Sequence, residues 1–171
     1  MLKFEYSIFL FLIFSLTASA QENLNEAEII GKMTCISSNG VPNHEIGKFP
    51  NRANPNEFRK QKLAFCFPTV PRLTGNVTRG LMTVGVSIAG IPIRPYTAEY
   101  FDPNTKQGYS KNPSSGWRKQ AMHRPRSLGM DAQNGHVDRS GLYHYHSLPK
   151  NFTASKKDIL IGYAPDGFKI V

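Results

Sequence analysis

The chain is poor in several things at once. Its 171 residues include two cysteines, one tryptophan and 12 acidic side chains against 21 basic ones. The two cysteines are far apart and form no Cys-x-x-Cys unit, which excludes a thiolate zinc knuckle. No apolar run after residue 20 is long enough to cross a bilayer as a helix. There is no internal repeat, no low-complexity tract, no His-Glu-x-x-His helix, no Gly-x-Ser-x-Gly elbow and no paired-carboxylate spacing. The basic residues are scattered in short groups such as Arg59-Lys60 and Arg118-Lys119, with no aromatic ladder between them. That leaves no clear nucleic-acid signal. The net charge of +9 reads first as a solvated surface and second as a surface for acidic polymers.

What is present begins with an export signal. Lys3 opens a short charged start, Ile8 to Leu16 is apolar except for Ser15, and Ala18-Ser19-Ala20 forms a small-x-small cleavage pattern before Gln21. Residues 1–20 are therefore expected to be a signal peptide, and the mature protein is expected to be secreted or periplasmic. No transmembrane segment is expected in the mature chain. In an oxidising compartment Cys35 and Cys66 are expected to pair. The bridge would close a loop of about 30 residues, contributing about 3–4 kcal/mol by restricting the unfolded chain.

The mature length suits one domain. Residues 21–33 read as a polar leader, helical or loose, and residues 34–171 as the domain itself. Thr34 to Asn56 is dense in Gly, Pro and Asn and reads as turns. Lys62 to Phe67 alternates around Leu63, Phe65 and Phe67, a strand pattern. Leu81 to Ile88 reads as a buried strand, and the proline of Ile91-Pro92-Ile93 suggests an edge. Glu99 to Gly116 reads as a long polar loop, Trp117 to Met122 as one helical turn, and Asp158 to Val171 as a hairpin around Pro-Asp-Gly. The expected fold is mainly β, sandwich- or barrel-like, with long loops and few short helices. Because the chain stops inside its last strand pattern, a domain truncated at its C-terminus is expected.

The segment Gly-His-Val-Asp-Arg-Ser-Gly-Leu-Tyr-His-Tyr-His, residues 135–146, holds three of the five histidines. Asp138 and Gly141 stand at the first and last positions of a type I turn. With Gly141 in the left-handed region, the turn closes a three-residue hairpin loop. Val137 then faces Tyr143, and His136 faces His144. Side chains alternate between faces, so His144 and His146 share one face with His136 beside them, while Tyr143 and Tyr145 point to the core. Directly opposed residues have Cβ atoms about 4.5–5.5 Å apart, so three imidazoles converge on one patch. A one-residue slip would break the cluster. Three imidazole nitrogens with an open position make a copper or zinc site. Two histidines on a strand are also the ordinary pattern of a half-buried hydrogen-bonded pair, so the third histidine carries the argument. His44, in the Pro-Asn-His loop, is the candidate fourth ligand. Asp138 and Asp166 read as turn formers.

Gly-Leu-Tyr-His-Tyr-His resembles the signature of the YHYH protein family, and other segments agree in order. These are Ser38 to His44, Phe49-Pro50-Asn51, Asn54-Pro55-Asn56, Val86 to Ile93, Leu128 to Asp131, Asn134 to Val137 and Ile161 to Phe168. The resemblance runs from about Thr34 to the end. It departs at Phe168-Lys169-Ile170-Val171, where family members read on through a proline, a tyrosine and a glycine. The resemblance implies an exported protein and no particular reaction. Tyr143, His144, Tyr145 and His146 match the name motif, while His136, Asn39, His44 and Asp166 fall in the other shared segments.

Three functions are expected to compete. The first is transition-metal binding, with copper or zinc held by His136, His144 and His146. The second is a metal-assisted hydrolase with His144 or His146 as general base and Asp131 or Asp166 orienting it. The third is a glycan- or cell-surface-binding module, in which Tyr96, Tyr100, Tyr109 and Trp117 stack on sugars and the basic surface holds an acidic polysaccharide.

Overall fold

The computed structural model describes residues 22–77, 81–150 and 159–171. The expected signal peptide lies outside the described residues, as do Lys156, Lys157 and Asp158.

The domain is mainly β, as the turn-punctuated strand patterns predict. Among the described residues twelve short strands form three sheets and no closed barrel, an arrangement compatible with sandwich-like layering. The first sheet is β1 (Asn25–Ile30), β2 (Met33–Ser38) and β3 (Leu63–Pro68), paired antiparallel in that order. β1 arises from the segment expected as a polar leader. All six of its side chains are exposed, so no periodic burial marks it, and it exists by pairing with β2. In the β2–β3 register Cys35 faces Cys66, and the two form the expected disulfide.

The second sheet positions the histidines. It contains β4 (Gly85–Ser87), β5 (Pro92–Ile93), β9 (Gly135–Val137), β10 (Tyr143–Tyr145), β11 (Gly162–Tyr163) and β12 (Lys169–Ile170), in the order β12-β11-β4-β5-β10-β9. β5 was expected at an edge because proline lacks a donor. Instead it sits inside, antiparallel to β4 and parallel to β10. The contact with β10 is a single pair, Tyr145 opposite Ile93, closed by the Arg94 N–H to the Tyr145 carbonyl at 2.7 Å. The missing N–H of Pro92 falls on that same side, two residues earlier, so the ladder goes no further.

The third sheet runs through part of the long polar loop expected over residues 99–116, where 99–101 and 109–110 are strand and the rest is turns and a short 3-10 segment. β6 (Tyr96–Phe101) lies between β7 (Tyr109–Ser110) and β8 (Arg118–Gln120), so the first half of the expected helical turn at Trp117 to Met122 is strand. A 3-10 turn follows at Ala121–His123.

Two clusters make the core. Ile36 and Phe67 of the first sheet pack on Val86 and Tyr163 of the second, joining the two layers, and Phe67 stacks on Tyr163 with ring centroids 4.7 Å apart. The larger cluster is Ala89, Ile91, Val137, Tyr143 and Tyr145, covered by Ile46, Phe49, Phe58 and Ile93. The turn-rich segment thus folds over one face of β9 and β10. It also caps the β9 edge, where the Val137 carbonyl accepts hydrogen bonds from the amides of Asn54 and Asn56 at 2.8 and 3.0 Å.

Candidate metal centre

The hairpin forms in the register its turn chemistry dictates. Oδ1 of Asp138 accepts from the Ser140 N–H, the Ser140 hydroxyl and the Leu142 N–H at 2.9, 2.6 and 3.2 Å. Gly141 has φ +87°, a conformation that favours glycine, and its N–H closes the turn on the Asp138 carbonyl. Val137 therefore opposes Tyr143, and His136 opposes His144. Gly135 opposes Tyr145, and a Cβ there would lie 2.2 Å from the Tyr143 hydroxyl, so only glycine lets that ring lie across β9.

The three imidazoles meet on one face. His144 and His146 are 4% and 5% exposed, and His136 is half-buried. Nε2 of His146 lies 3.1 Å from Nε2 of His144 and 2.9 Å from Nε2 of His136. Nδ1 of His136 donates to the Leu128 carbonyl at 2.6 Å, and Nδ1 of His144 to the Leu142 carbonyl at 3.2 Å. A neutral ring whose Nδ1 carries the proton presents a lone pair at Nε2. A backbone carbonyl on the far nitrogen is the usual support of a metal-bound imidazole.

Burial first, and then the neighbouring rings, hold these groups neutral. His144 is pushed well below the usual histidine range by desolvation, and His146 and His136 add to the shift. His146 is lowered to about 4 by desolvation and by His136. His136 is lowered by desolvation, against the pull of the Leu128 carbonyl and of Asp138 and Asp131. Nδ1 of His146 is buried with no partner in hydrogen-bond geometry, although the Arg94 backbone lies near enough to favour a proton on that ring.

His146 can offer at most one Nε2 proton to two facing lone pairs. A cation at the centre satisfies all three nitrogens at once. Bonds of about 2.0–2.1 Å at tetrahedral angles would place two ligand nitrogens about 3.3 Å apart; the two contacts through His146 would open slightly, and the three ligand atoms all lie within 4.8 Å of one another. The triad is a group that could hold a metal ion.

The other sequence-derived candidates lie elsewhere. His44 is not brought to the triad. Its Nε2 bonds the Tyr145 hydroxyl at 2.7 Å on the opposite face of β10, because its loop covers the tyrosine side of the hairpin. Asp131 does not orient a histidine. It accepts from the Tyr143 hydroxyl at 2.8 Å and from the N–H groups of Gly47, Gln133 and Gly135. Asp166 is exposed in the last turn, where it caps the Phe168 N–H. Asn39 ties the start of the first sheet through Leu24, Val41 and Glu22. Among the proposed sugar platforms, Tyr100 is covered by Arg118 and Tyr109 by Lys119, at 4.7 and 4.8 Å, while Trp117 stands 75% exposed.

Arg94 escapes sequence reasoning. Its Nη1 pairs with Oδ2 of Asp138 at 2.9 Å, and its Nε donates to Thr83 at 3.2 Å. Its signal would have been the parallel pairing of β5 with β10, which no local pattern announces. Burial raises the Asp138 carboxyl, but hydrogen bonds from Ser140, Arg94 and Leu142 outweigh this and hold it below the ordinary range.

Among the described residues no helix is long and apolar enough to cross a membrane. No curated protein and no solved structure matches the chain. The family model described as YHYH protein matches residues 64–171, a span that includes the triad, Arg94 and Asp138 and leaves out His44 and Cys35. With the name motif inside that span and its histidines gathered on one strand face, the chain belongs to the YHYH protein family.

Proposed function

We propose that this is an exported transition-metal-binding protein that holds copper or zinc through Nε2 of His136, His144 and His146. The observation that carries the reading is the approach of the Nε2 atoms of buried His144 and His146 and half-buried His136, with the Nδ1 protons of His136 and His144 held by backbone carbonyls. Nitrogen donors without thiolates suit zinc or copper. Three protein ligands leave one position open, as in catalytic rather than structural zinc sites. The same open position serves a metal-assisted hydrolase, and turnover of ester substrates by the loaded protein separates catalysis from carriage. Export is supported by the apolar start with its Ala-Ser-Ala pattern and by the Cys35–Cys66 bridge.

The test is metal content by mass spectrometry on untagged exported protein beside a His144→Ala/His146→Ala variant. Stoichiometric copper or zinc in the wild type, lost in the variant, is expected. Wild-type protein still empty after loading and dialysis would refute the reading.

A second reading concerns the small sheet. Trp117 is 75% exposed on the small sheet, a flat ring suited to stacking on a sugar, with Arg118 over Tyr100 and Lys119 paired to Glu99 beside it. Pull-down on an acidic polysaccharide, weakened by Trp117→Ala and untouched by the histidine variant, is the expected result.

A further inference from the structure

We propose that the open position of the histidine site takes an oxyanion, a carboxylate or phosphate group of the ligand, held jointly by the metal and by the guanidinium of Arg94. This rests on the metal reading above.

Strand order supplies the first argument. Arg94 follows β5, and Asp138 follows His136 at the end of β9, with β10 between them. Neighbouring strands are about 4.7–4.9 Å apart, so the Arg94–Asp138 pair at 2.9 Å bridges about twice that distance over β10. Ile93 pairs with Tyr145 and packs on the tyrosine side, which puts Arg94 on the histidine side, beside His146. Asp138 lies two residues from His136 and shares its face. The bridge therefore passes over the face on which His144 stands. In agreement, the positive charge of Arg94 acts on all three histidines.

Charge supplies the second argument. Three neutral imidazoles leave a divalent ion its full charge, in a site where two of the ligands are almost wholly buried. No fourth His, Cys, Asp or Glu joins the group among the described residues. Asp138 is the nearest anion by position, but its oxygens are committed to Ser140, Leu142 and Arg94, and withdrawing it would undo the turn that sets the register. An external anion is what balances the ion. The third argument is the free valence of the guanidinium. Nε and Nη1 are held by Thr83 and Asp138, which fixes the plane of the fork, and Nη2 makes no hydrogen bond among the described residues. A planar cation locked beside a metal matches a bidentate oxyanion better than a neutral ligand.

The test uses the full mature protein loaded with cobalt(II), whose visible spectrum reports its coordination. Cobalt content is measured first, then the protein is titrated with sodium acetate, inorganic phosphate and, as a neutral control, glycerol. Saturable spectral change with acetate or phosphate and none with glycerol is expected, and the tighter of the two anions names the group. Arg94→Gln is expected to keep its cobalt and to bind the anion about tenfold or more weakly, the loss of one charge-assisted contact. Equal anion affinity in wild type and variant would overturn the role of Arg94. A loaded wild type whose spectrum ignores both anions would overturn the proposal while leaving the metal reading intact. Failure to take up cobalt, copper or zinc on loading would overturn both. The wild-type titration decides the anion site even where the variant does not fold.

Discussion

The two faces of strand β10 are built from the same four-residue motif and are opposite in character. On the tyrosine face every polar tip is answered. The Tyr143 hydroxyl donates to Asp131, the Tyr145 hydroxyl meets His44, and the rings fill the larger core cluster. Burial, with Asp131 nearby, pushes both phenols up, so neither ionises in the ordinary range. On the histidine face three Nε2 atoms crowd together, and among the described residues Nδ1 of His146 has no hydrogen bond beyond the nearby Arg94 backbone. A fold that satisfies one face so fully and crowds three imidazoles on the other fits the proposed division between a structural face and a metal-binding face. Unsatisfied buried polar groups cost about 1–3 kcal/mol each, so such an arrangement persists where something else answers them.

Predictions can break this comparison. The largest effect is expected from His144→Ala/His146→Ala, which should abolish metal uptake as measured by mass spectrometry while circular dichroism still reports a β protein. The disulfide comes next. Cys35→Ala/Cys66→Ala should lower stability in urea by about 3–4 kcal/mol, the loop-closure contribution for this span, without changing metal content.

Acid should act on the histidine face of the metal-free protein. The folded value of His146 lies below its unfolded value of 6.5, at about 4. Above pH 6.5 neither state binds the proton. Between 6.5 and 4 the unfolded chain binds it and the folded chain does not, so stability falls as pH falls, by roughly 3 kcal/mol in all from this residue. His144 and His136 shift in the same direction, and Asp138 continues the loss at lower pH. Urea midpoints followed from pH 8 to 4 check this, and a flat profile would contradict it. Bound metal should steepen the loss, because protons compete for the same nitrogens.

The tyrosine face should give smaller effects of another kind. Tyr143→Phe removes a donor from the Asp131 carboxylate and should cost about 1.5–3 kcal/mol, the range for hydrogen bonds to charged groups. Tyr145→Phe removes a single contact with His44 and should cost about 1 kcal/mol. Both variants should keep full metal content. Loss of metal in Tyr143→Phe at unchanged stability would erase the division between the faces.

Much of the site was legible because it is local. Asp138 and Gly141 set a turn, the turn sets a register, and period-two alternation assigns the faces, all within twelve residues of sequence. The disulfide followed from cysteine count and compartment. Elements held by distant pairing were not legible. β1 carries no buried side chain and reads as leader until β2 lies beside it. Glu99 to Gly116 reads as a loop and Trp117 to Met122 as a helical turn because the three short strands there alternate weakly and belong to a separate small sheet. His44 looked like a ligand because a loop histidine has no periodicity to say which face it will cover.

The sequence alone determined the hairpin, its register, the convergence of His136, His144 and His146, and the mainly β class, since turn chemistry and strand alternation act between near neighbours. Only tertiary structure decided that Arg94 stands beside that triad, that His44 belongs to the tyrosines, and that Asp131 supports the core. Those placements depend on strands and loops separated by some fifty to a hundred residues, and backbone pairing across such distances is set by burial of the whole sheet rather than by any local pattern.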